Sequence, residues 1–212
     1  MKLAREIATI TYRSGPEWES RFGVERADPS SVPALCPDFL IETYLDHAGD
    51  KWHLQYDPNS FLYISKAMDL FDLGARNQNK ALKSRKQAEQ IFNGEEIDSR
   101  HLEYKPLELC TAEQKQRGRK FTIEEAKEDL LQGLSKFAHK DVLVVGVESD
   151  ILFPAWQQRE IFTLLQEANK RAGGDGSQIK HYELSQEQSF YGHDTFLLAL
   201  DIIGKPVKEF LN

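Results

Sequence analysis

The sequence predicts an α/β fold, on three observations. Val142 to Val147 is a mostly β-branched apolar run without polar alternation, the pattern of a strand buried on both faces of a parallel sheet. A second strand candidate runs from Ile179 to Leu184, and each is followed by a helical pattern, so the chain from Val142 onward reads strand, helix, strand, helix. The right-handed crossover rule makes two such strands parallel neighbours or near neighbours. Third, both strands lead into loops with titratable side chains. Asp150 follows the first strand directly, and His193 in Tyr191-Gly192-His193-Asp194 follows the second. These are the carboxyl ends, where open α/β sheets place their ligands.

Composition sets the outer bounds. With 212 residues, 40% hydrophobic and 29% charged, the chain has ordinary globular composition. A net charge of −7 argues against a general nucleic-acid binder, whose phosphate contacts need a basic face. No apolar run approaches the roughly 18 residues of a membrane span, and Met-Lys-Leu-Ala-Arg-Glu shows no h-region of a signal peptide. Cys36 and Cys110 lie far apart without metal-ligand spacing and read as free thiols of a reducing compartment.

Taken in order, Lys2 to Arg13 carries Leu3, Ile7 and Ile10 at helical spacing, and Ser14-Gly15-Pro16 breaks the pattern. Glu17 to Phe22 gives a short second helix, and Arg26 to Pro37 a proline-rich loop. Asp38 is placed to cap the next helix, whose Leu40, Tyr44, Leu45 and Ala48 form one face before Gly49 weakens it. Asp57-Pro58-Asn59-Ser60 starts another helix, with Phe61, Ile64, Ala67, Met68 and Phe71 as a core face. From Gly74 to Arg119 charged and amide residues dominate, which predicts a solvated or partly disordered insertion. Thr122 with Glu125 has capping-box spacing ahead of Ile123, Ala126, Leu130, Leu134 and Phe137. After Pro154 a helix is stopped by Gly173-Gly174-Asp175-Gly176, and Thr195 to Leu211 closes the chain as another helix.

An Asp and then a His after successive strands is the order of the last two members of a Ser-Asp-His triad on an α/β-hydrolase sheet. The serine of such a triad needs a tight strand-to-helix turn, usually Gly-x-Ser-x-Gly, and none is present. Ser14 precedes Gly15, Ser149 sits inside the Asp150 loop and Ser177 follows the glycine turn, none of them following an apolar strand with flanking small residues, and Ser60 and Ser65 are helix positions. Nor does anything upstream of Val142 read as the further strands that a parallel sheet needs. The expectation is therefore the C-terminal half of a larger α/β-hydrolase-fold protein.

Several motifs then point one way. Leu3-Ala4-Arg5, Thr11-Tyr12-Arg13-Ser14, Arg21-Phe22-Gly23, Glu42-x-Tyr44-Leu45-x-His47-x-Gly49-x-Lys51 and Asp57-Pro58-Asn59-Ser60 cover the first part of the chain. Ala67-Met68-Asp69, Ser149-Asp150-x-Leu152-Phe153-Pro154 and Gly192-His193-Asp194-x-Phe196-Leu197 complete the set. In this order they resemble the homoserine O-acetyltransferase family over nearly the whole chain apart from the polar insertion, whose length is closer to fungal members, some of them assigned to serine acylation.

The resemblance implies a division into residues 1–37 leading into a lid, a helical lid over 38–140 with the insertion at about 74–119, and a C-terminal βαβα part over 141–212. It implies ping-pong transfer of an acetyl group from acetyl-CoA (or another acyl-CoA, acetyl and succinyl donors not being separated), a co-substrate with no resident cofactor or metal, to the hydroxyl of L-homoserine or L-serine. His193 would be the general base and acid and Asp150 its orienting partner, with the nucleophile outside this chain. Arg5 would contact the acceptor's carboxylate and Asp194 its amino group, a charge pattern suited to an α-amino acid. The lid helices would shape the acyl tunnel and carry a homodimer contact, with no nucleic-acid or membrane partner. The expected compartment is the cytoplasm, with the mitochondrion as the alternative, and the isolated chain is expected to be inactive. An esterase on the same triad and a non-catalytic fragment that pairs with a partner chain are the rival readings.

Overall fold

In a computed structural model that describes residues 1–94 and 121–212, β1 (Val142–Val147) and β2 (Ile179–Leu184) form over the two strand candidates. They pair in parallel, Val142 opposite Ile179 and Val147 opposite Leu184, as a two-stranded sheet. The crossover between them is α7 (Ala155–Arg171), which packs on both strands. Its turn closes at the glycine cluster, where the Gly174 N–H donates to the Asn169 carbonyl.

One face of the sheet supplies the core. Val142, Val144 and Ile179 meet Leu164, Leu165 and Ala168 of α7, together with Leu131 and Leu134 of α6 (Ile123–Leu134). Helix α6 begins at a capping box in which Thr122 accepts from the Glu125 N–H and Glu125 reaches back to the Thr122 N–H. Burial of β1 on both faces does not hold: only Gly146 of the strand is fully buried, because among the described residues it has one strand neighbour and a helical layer on one side.

The upstream helices are α1 (Lys2–Thr11), α2 (Gly15–Arg21), α3 (Leu40–His53) and α4 (Pro58–Asp69). Helices α1 and α3 lie side by side, and Lys2 bridges to Asp46 and Asp50. Gly49 does not weaken α3, which runs through it. A Cβ there would stand 2.7 Å from Lys2 Cγ, so the glycine lets the two helices approach. Asp38 does not cap α3. Its carboxylate pairs with Arg26 at 2.8 Å, and the N-terminus is closed by Glu42, which accepts from the Asp38 and Phe39 N–H groups at 2.7 and 2.9 Å.

One expectation about the lid region is corrected and one refined, the described part of the insertion being solvated as expected but helical. The α4 face is not core: Ile64, Met68 and Phe71 are exposed, because no described element covers that side, and Phe61 alone turns inward, edge-on to Trp52. The insertion is helical in its first part, α5 (Ala75–Phe92). Its Ala, Lys, Arg, Gln and Glu residues are strong helix formers, and its first turn is anchored to α6 by Gln78, which donates to the Leu73 and Gly133 carbonyls, and by Asp129, which accepts the Arg76 N–H. The remainder of the expected insertion, with Cys110, lies outside the described residues; Cys36 is a free, exposed thiol.

The single closing helix divides into α8 (Thr195–Leu198) and α9 (Leu200–Leu211), because the backbone leaves the helix at Ala199 (φ −116°, ψ 46°), which is buried there. No described helix is long and apolar enough to cross a membrane.

Candidate active site

The chain turns sharply at the end of β1, where the Asp150 N–H donates to the Val147 carbonyl at 3.1 Å. The Asp150 carboxylate, 8% exposed, then organises the turn itself: Oδ1 accepts the N–H groups of Leu152 and Phe153, each at 2.9 Å. This is the local turn chemistry aspartate favours. It fixes the carboxylate so that Oδ2 is left for Nδ1 of His193, 2.9 Å away. The imidazole, 29% exposed, stands between the rings of Phe153 and Phe196 at centroid distances of 5.1 and 5.4 Å. With Nδ1 bound to a carboxylate, Nε2 is the nitrogen that can exchange a proton with a reacting group.

His193 sits in a single 3₁₀ turn, Gly192–Asp194, after β2. Two sets of contacts hold this turn. From one side comes the corner between α1 and α2: the Tyr12 carbonyl accepts the His193 N–H at 2.9 Å, and the Ser14 hydroxyl donates to the Phe190 carbonyl. Gly192 has φ +63°, and a Cβ there would lie 2.8 Å from Ser14 N and 3.0 Å from Arg13 C, so only glycine lets the loop lie against that corner.

From the other side comes a set of buried hydroxyls. Ser149 donates to the Ser189 carbonyl at 2.8 Å and accepts the Gly192 N–H at 3.1 Å. Thr195 donates to the Gly192 carbonyl at 2.7 Å, so the 2.8 Å contact between the Ser189 and Thr195 hydroxyls has Ser189 as its donor. These bonds tie the Asp150 loop to the His193 loop. They occupy Ser149 as a brace, and none of the hydrogen bonds of Ser14, Ser60, Ser149 or Ser177 reaches His193.

Arg5 lies on α1, half-buried, with Nη2 3.4 Å from the Tyr12 hydroxyl and its guanidinium carbon 5.5 Å from the Tyr12 ring centre. Tyr12 therefore touches Arg5 through its side chain and His193 through its carbonyl. Neither Arg5 nor Asp194 forms an ion pair with a described residue, and Asp194 makes no side-chain cap on α8. Among the described residues no group of three or more His, Cys, Asp or Glu could hold a metal ion. Sequence reasoning missed Tyr12, Ser14, Ser189, Gly192 and Thr195 as holders of His193. The one available signal was the glycine directly before the histidine, with Ser189 three positions before it and Thr195 three after.

The segments on both sides of the pair present apolar side chains to solvent: Ile151 and Phe153 in the loop after β1 and Trp156 at the start of α7, with Phe196 and Leu197 on α8 and Leu200 on α9 after His193. An Asp-bound imidazole can take and return a proton, and a rim of this kind keeps water from a substrate once it is covered.

No protein-family model matches the chain. A serine O-succinyltransferase of Emericella nidulans is 51% identical over 224 residues, which cover 100% of this chain and 42% of that protein. One of Schizosaccharomyces pombe is 46% identical over 222 residues, 43% of its length, and one of Xanthomonas axonopodis pv. citri is 33% identical over 214 residues, 46% of its length. The chain thus spans less than half the length of the curated relatives it matches. Along its whole length, and as a part of longer sequences, the chain matches the homoserine/serine O-acyltransferase family.

Proposed function

We propose that the chain is the carboxyl-terminal part of an acyl-CoA-dependent serine O-acyltransferase of α/β-hydrolase fold, in which His193 is the general base and acid and Asp150 orients it. The observation that carries the reading is the 2.9 Å contact between Asp150 Oδ2 and His193 Nδ1 at the ends of two parallel strands. The parallel β1–α7–β2 unit and the family match support the fold and the reaction class.

In this mechanism a serine carried by the rest of the protein attacks the acyl thioester. His193 Nε2 takes its proton and gives it to the departing thiolate of CoA. The acceptor hydroxyl then attacks the acyl-serine ester, and His193 removes the acceptor's proton and returns one to the serine. Asp150 holds the tautomer with Nδ1–H and stabilises each imidazolium. Arg5 binds the acceptor's carboxylate and Asp194 its ammonium, roles supported by the absence of any ion pair at either residue among the described residues.

From sequence, acetyl is the expected transferred group, not separated from succinyl, and serine and homoserine acceptors stay open. The relatives' names carry succinyl in place of acetyl, and serine, so the proposal takes succinyl-CoA and L-serine as the preferred pair. One methylene separates the two acceptors, worth only about 1–3 kcal/mol in a pocket. Helices α3 and α4 are assigned to the lid, and the exposed Ile64, Met68 and Phe71 support α4 as the self-association surface. The test is a screen of acetyl-CoA and succinyl-CoA against L-serine and L-homoserine with a longer protein that contains this segment. O-succinylserine as the main product is expected. Steady release of free carboxylate without an amino acid would replace the acyltransferase with an esterase.

A further inference from the structure

We propose that the buried ion pair of Arg13 and Glu17 positions His193, by fixing the Tyr12–Ser14 corner against which the loop of the imidazole is moulded. The inference rests on the reading of His193 as the base; its test does not.

Arg13 and Glu17 face each other across the junction of α1 and α2, with side chains 9% and 3% exposed. The guanidinium is surrounded by the rings of Tyr12, Trp18 and Tyr44 at 5.4, 5.6 and 6.0 Å, and its Nη2 lies 3.4 Å from the Tyr44 hydroxyl. Among the described residues Arg13 Nε and Glu17 Oε2 have no hydrogen-bond partner. Such a pair is a poor device for stability alone. Desolvating two charges can outweigh their attraction, and apolar side chains of similar volume often serve as well.

What the pair supplies is direction. A guanidinium is a rigid planar fork, and the carboxylate it meets stands in the first turn of a helix, so the Arg13 peptide is held at a set angle to α2. Ser14 adds to this, because its hydroxyl accepts the Glu17 N–H at 3.2 Å while donating to the Phe190 carbonyl. The same stretch of backbone presents the Tyr12 carbonyl to the His193 N–H and the flat Arg13–Ser14 peptide to Gly192. Turning the Arg13 peptide would carry the Tyr12 carbonyl away from His193, and with it the Nδ1 contact to Asp150. Arg13 and Glu17 are thus positioning residues that act through backbone, without touching the imidazole.

The experiment is hydrogen exchange of the whole chain resolved to single amides, with histidine ring NMR, for the wild type, Glu17→Gln and Tyr44→Phe. Glu17→Gln keeps the shape of the side chain and removes its charge. Exchange at the His193 amide should quicken by on the order of tenfold while the amides of β1 and β2 keep their protection, since local openings need not follow global ones. The ring signals of His193 should shift and those of His181, on β2, should not. Tyr44→Phe, which removes only the hydroxyl beside Arg13, should move the same signals by less, and it decides the matter where Glu17→Gln does not fold. Unchanged His193 signals in a folded Glu17→Gln chain, or loss of protection in β1 and β2 in step with His193 in Tyr44→Phe, would overturn the proposal. Neither readout depends on turnover, so failure of the catalytic assignment would show separately, as normal acyl transfer by a His193→Ala variant of a longer protein.

Discussion

Asp150 Oδ2 lies 2.9 Å from His193 Nδ1, across 43 residues of sequence, and Asp150 Oδ1 is occupied by the Leu152 and Phe153 N–H groups. The carboxylate therefore has a fixed plane before any substrate arrives. Asp150→Asn keeps the volume but offers an amide that can donate to Nδ1 and select the wrong tautomer. In a longer protein that contains this segment, kcat for acyl transfer should fall by about 10⁴-fold, the cost of that change in the protease triad. Near-normal turnover by the purified variant would remove Asp150 from its role.

Gly192 is the tightest point between the His193 loop and the α1–α2 corner. Gly192→Ala meets both a positive φ of +63° and backbone atoms at 2.8 to 3.1 Å. The left-handed conformation alone costs a non-glycine residue about 1–3 kcal/mol, and the contact adds to it. The expected result is a lower urea midpoint and an altered His193 ring signal. A variant with wild-type stability would mean that the loop lifts off the corner freely.

How much of this was legible depends on how local each determinant is. The bounds of β1 follow from an unbroken apolar run and the start of α6 from the Thr122 and Glu125 spacing, both read within a few residues, while β2 keeps only Ile179, Tyr182 and Leu184 as apolar marks among Lys180, His181 and Glu183. The order Asp150 then His193 was legible as well, because strand ends carry it. Asp38 shows the opposite case: it has the right residue type for a cap, but Arg26, twelve positions earlier, takes its carboxylate. The α4 face has core periodicity yet lies exposed, because periodicity reports which side is apolar and says nothing of what covers it. The Tyr12 carbonyl and the Ser149 and Ser189 contacts join distant segments through backbone atoms, which leave little trace in side-chain pattern.

Asn169, fully buried on α7, holds the turn that returns the chain to β2. Its side chain accepts the Gly176 N–H at 2.7 Å and donates to the Ala138 carbonyl. Asn169→Ala strands both groups without a partner, and each unsatisfied buried group costs about 1–3 kcal/mol. Thermal unfolding should show a clear drop in Tm, with Asn169→Asp falling too because the donor to Ala138 is lost. An unchanged Tm for Asn169→Ala would show that the turn is held by the backbone alone.

Asp28 gives a prediction in pH. Hydrogen bonds from the Ser30 hydroxyl, then from the Ser31 hydroxyl and the Ser30 N–H, lower its carboxyl from 3.8 to about 2. A folded value below the unfolded one means that the contribution is complete above about pH 3.8 and is lost as the pH falls through about 2. Carboxyl NMR should give a midpoint near that lower value in the wild type, and Ser30→Ala should raise it toward the ordinary value. A midpoint near 3.8 in the wild type would show that the turn over residues 28–31 is not formed in solution.

Arg5 separates acceptor binding from acyl-group binding. Its guanidinium is held by the Tyr12 hydroxyl and ring and is not neutralised by any described carboxylate, so a planar fork remains for an incoming one. Arg5→Ala in a longer protein should raise the KM for L-serine by about 10- to 150-fold, the range of a lost charge-assisted hydrogen bond of about 1.5–3 kcal/mol, and leave the KM for the acyl-CoA nearly unchanged. Arg5→Lys should recover only part of the loss, because an ammonium cannot meet a carboxylate with two parallel bonds. A rise confined to the acyl-CoA would move Arg5 to the donor side of the site, where the guanidinium would face the phosphates of CoA instead of the amino acid.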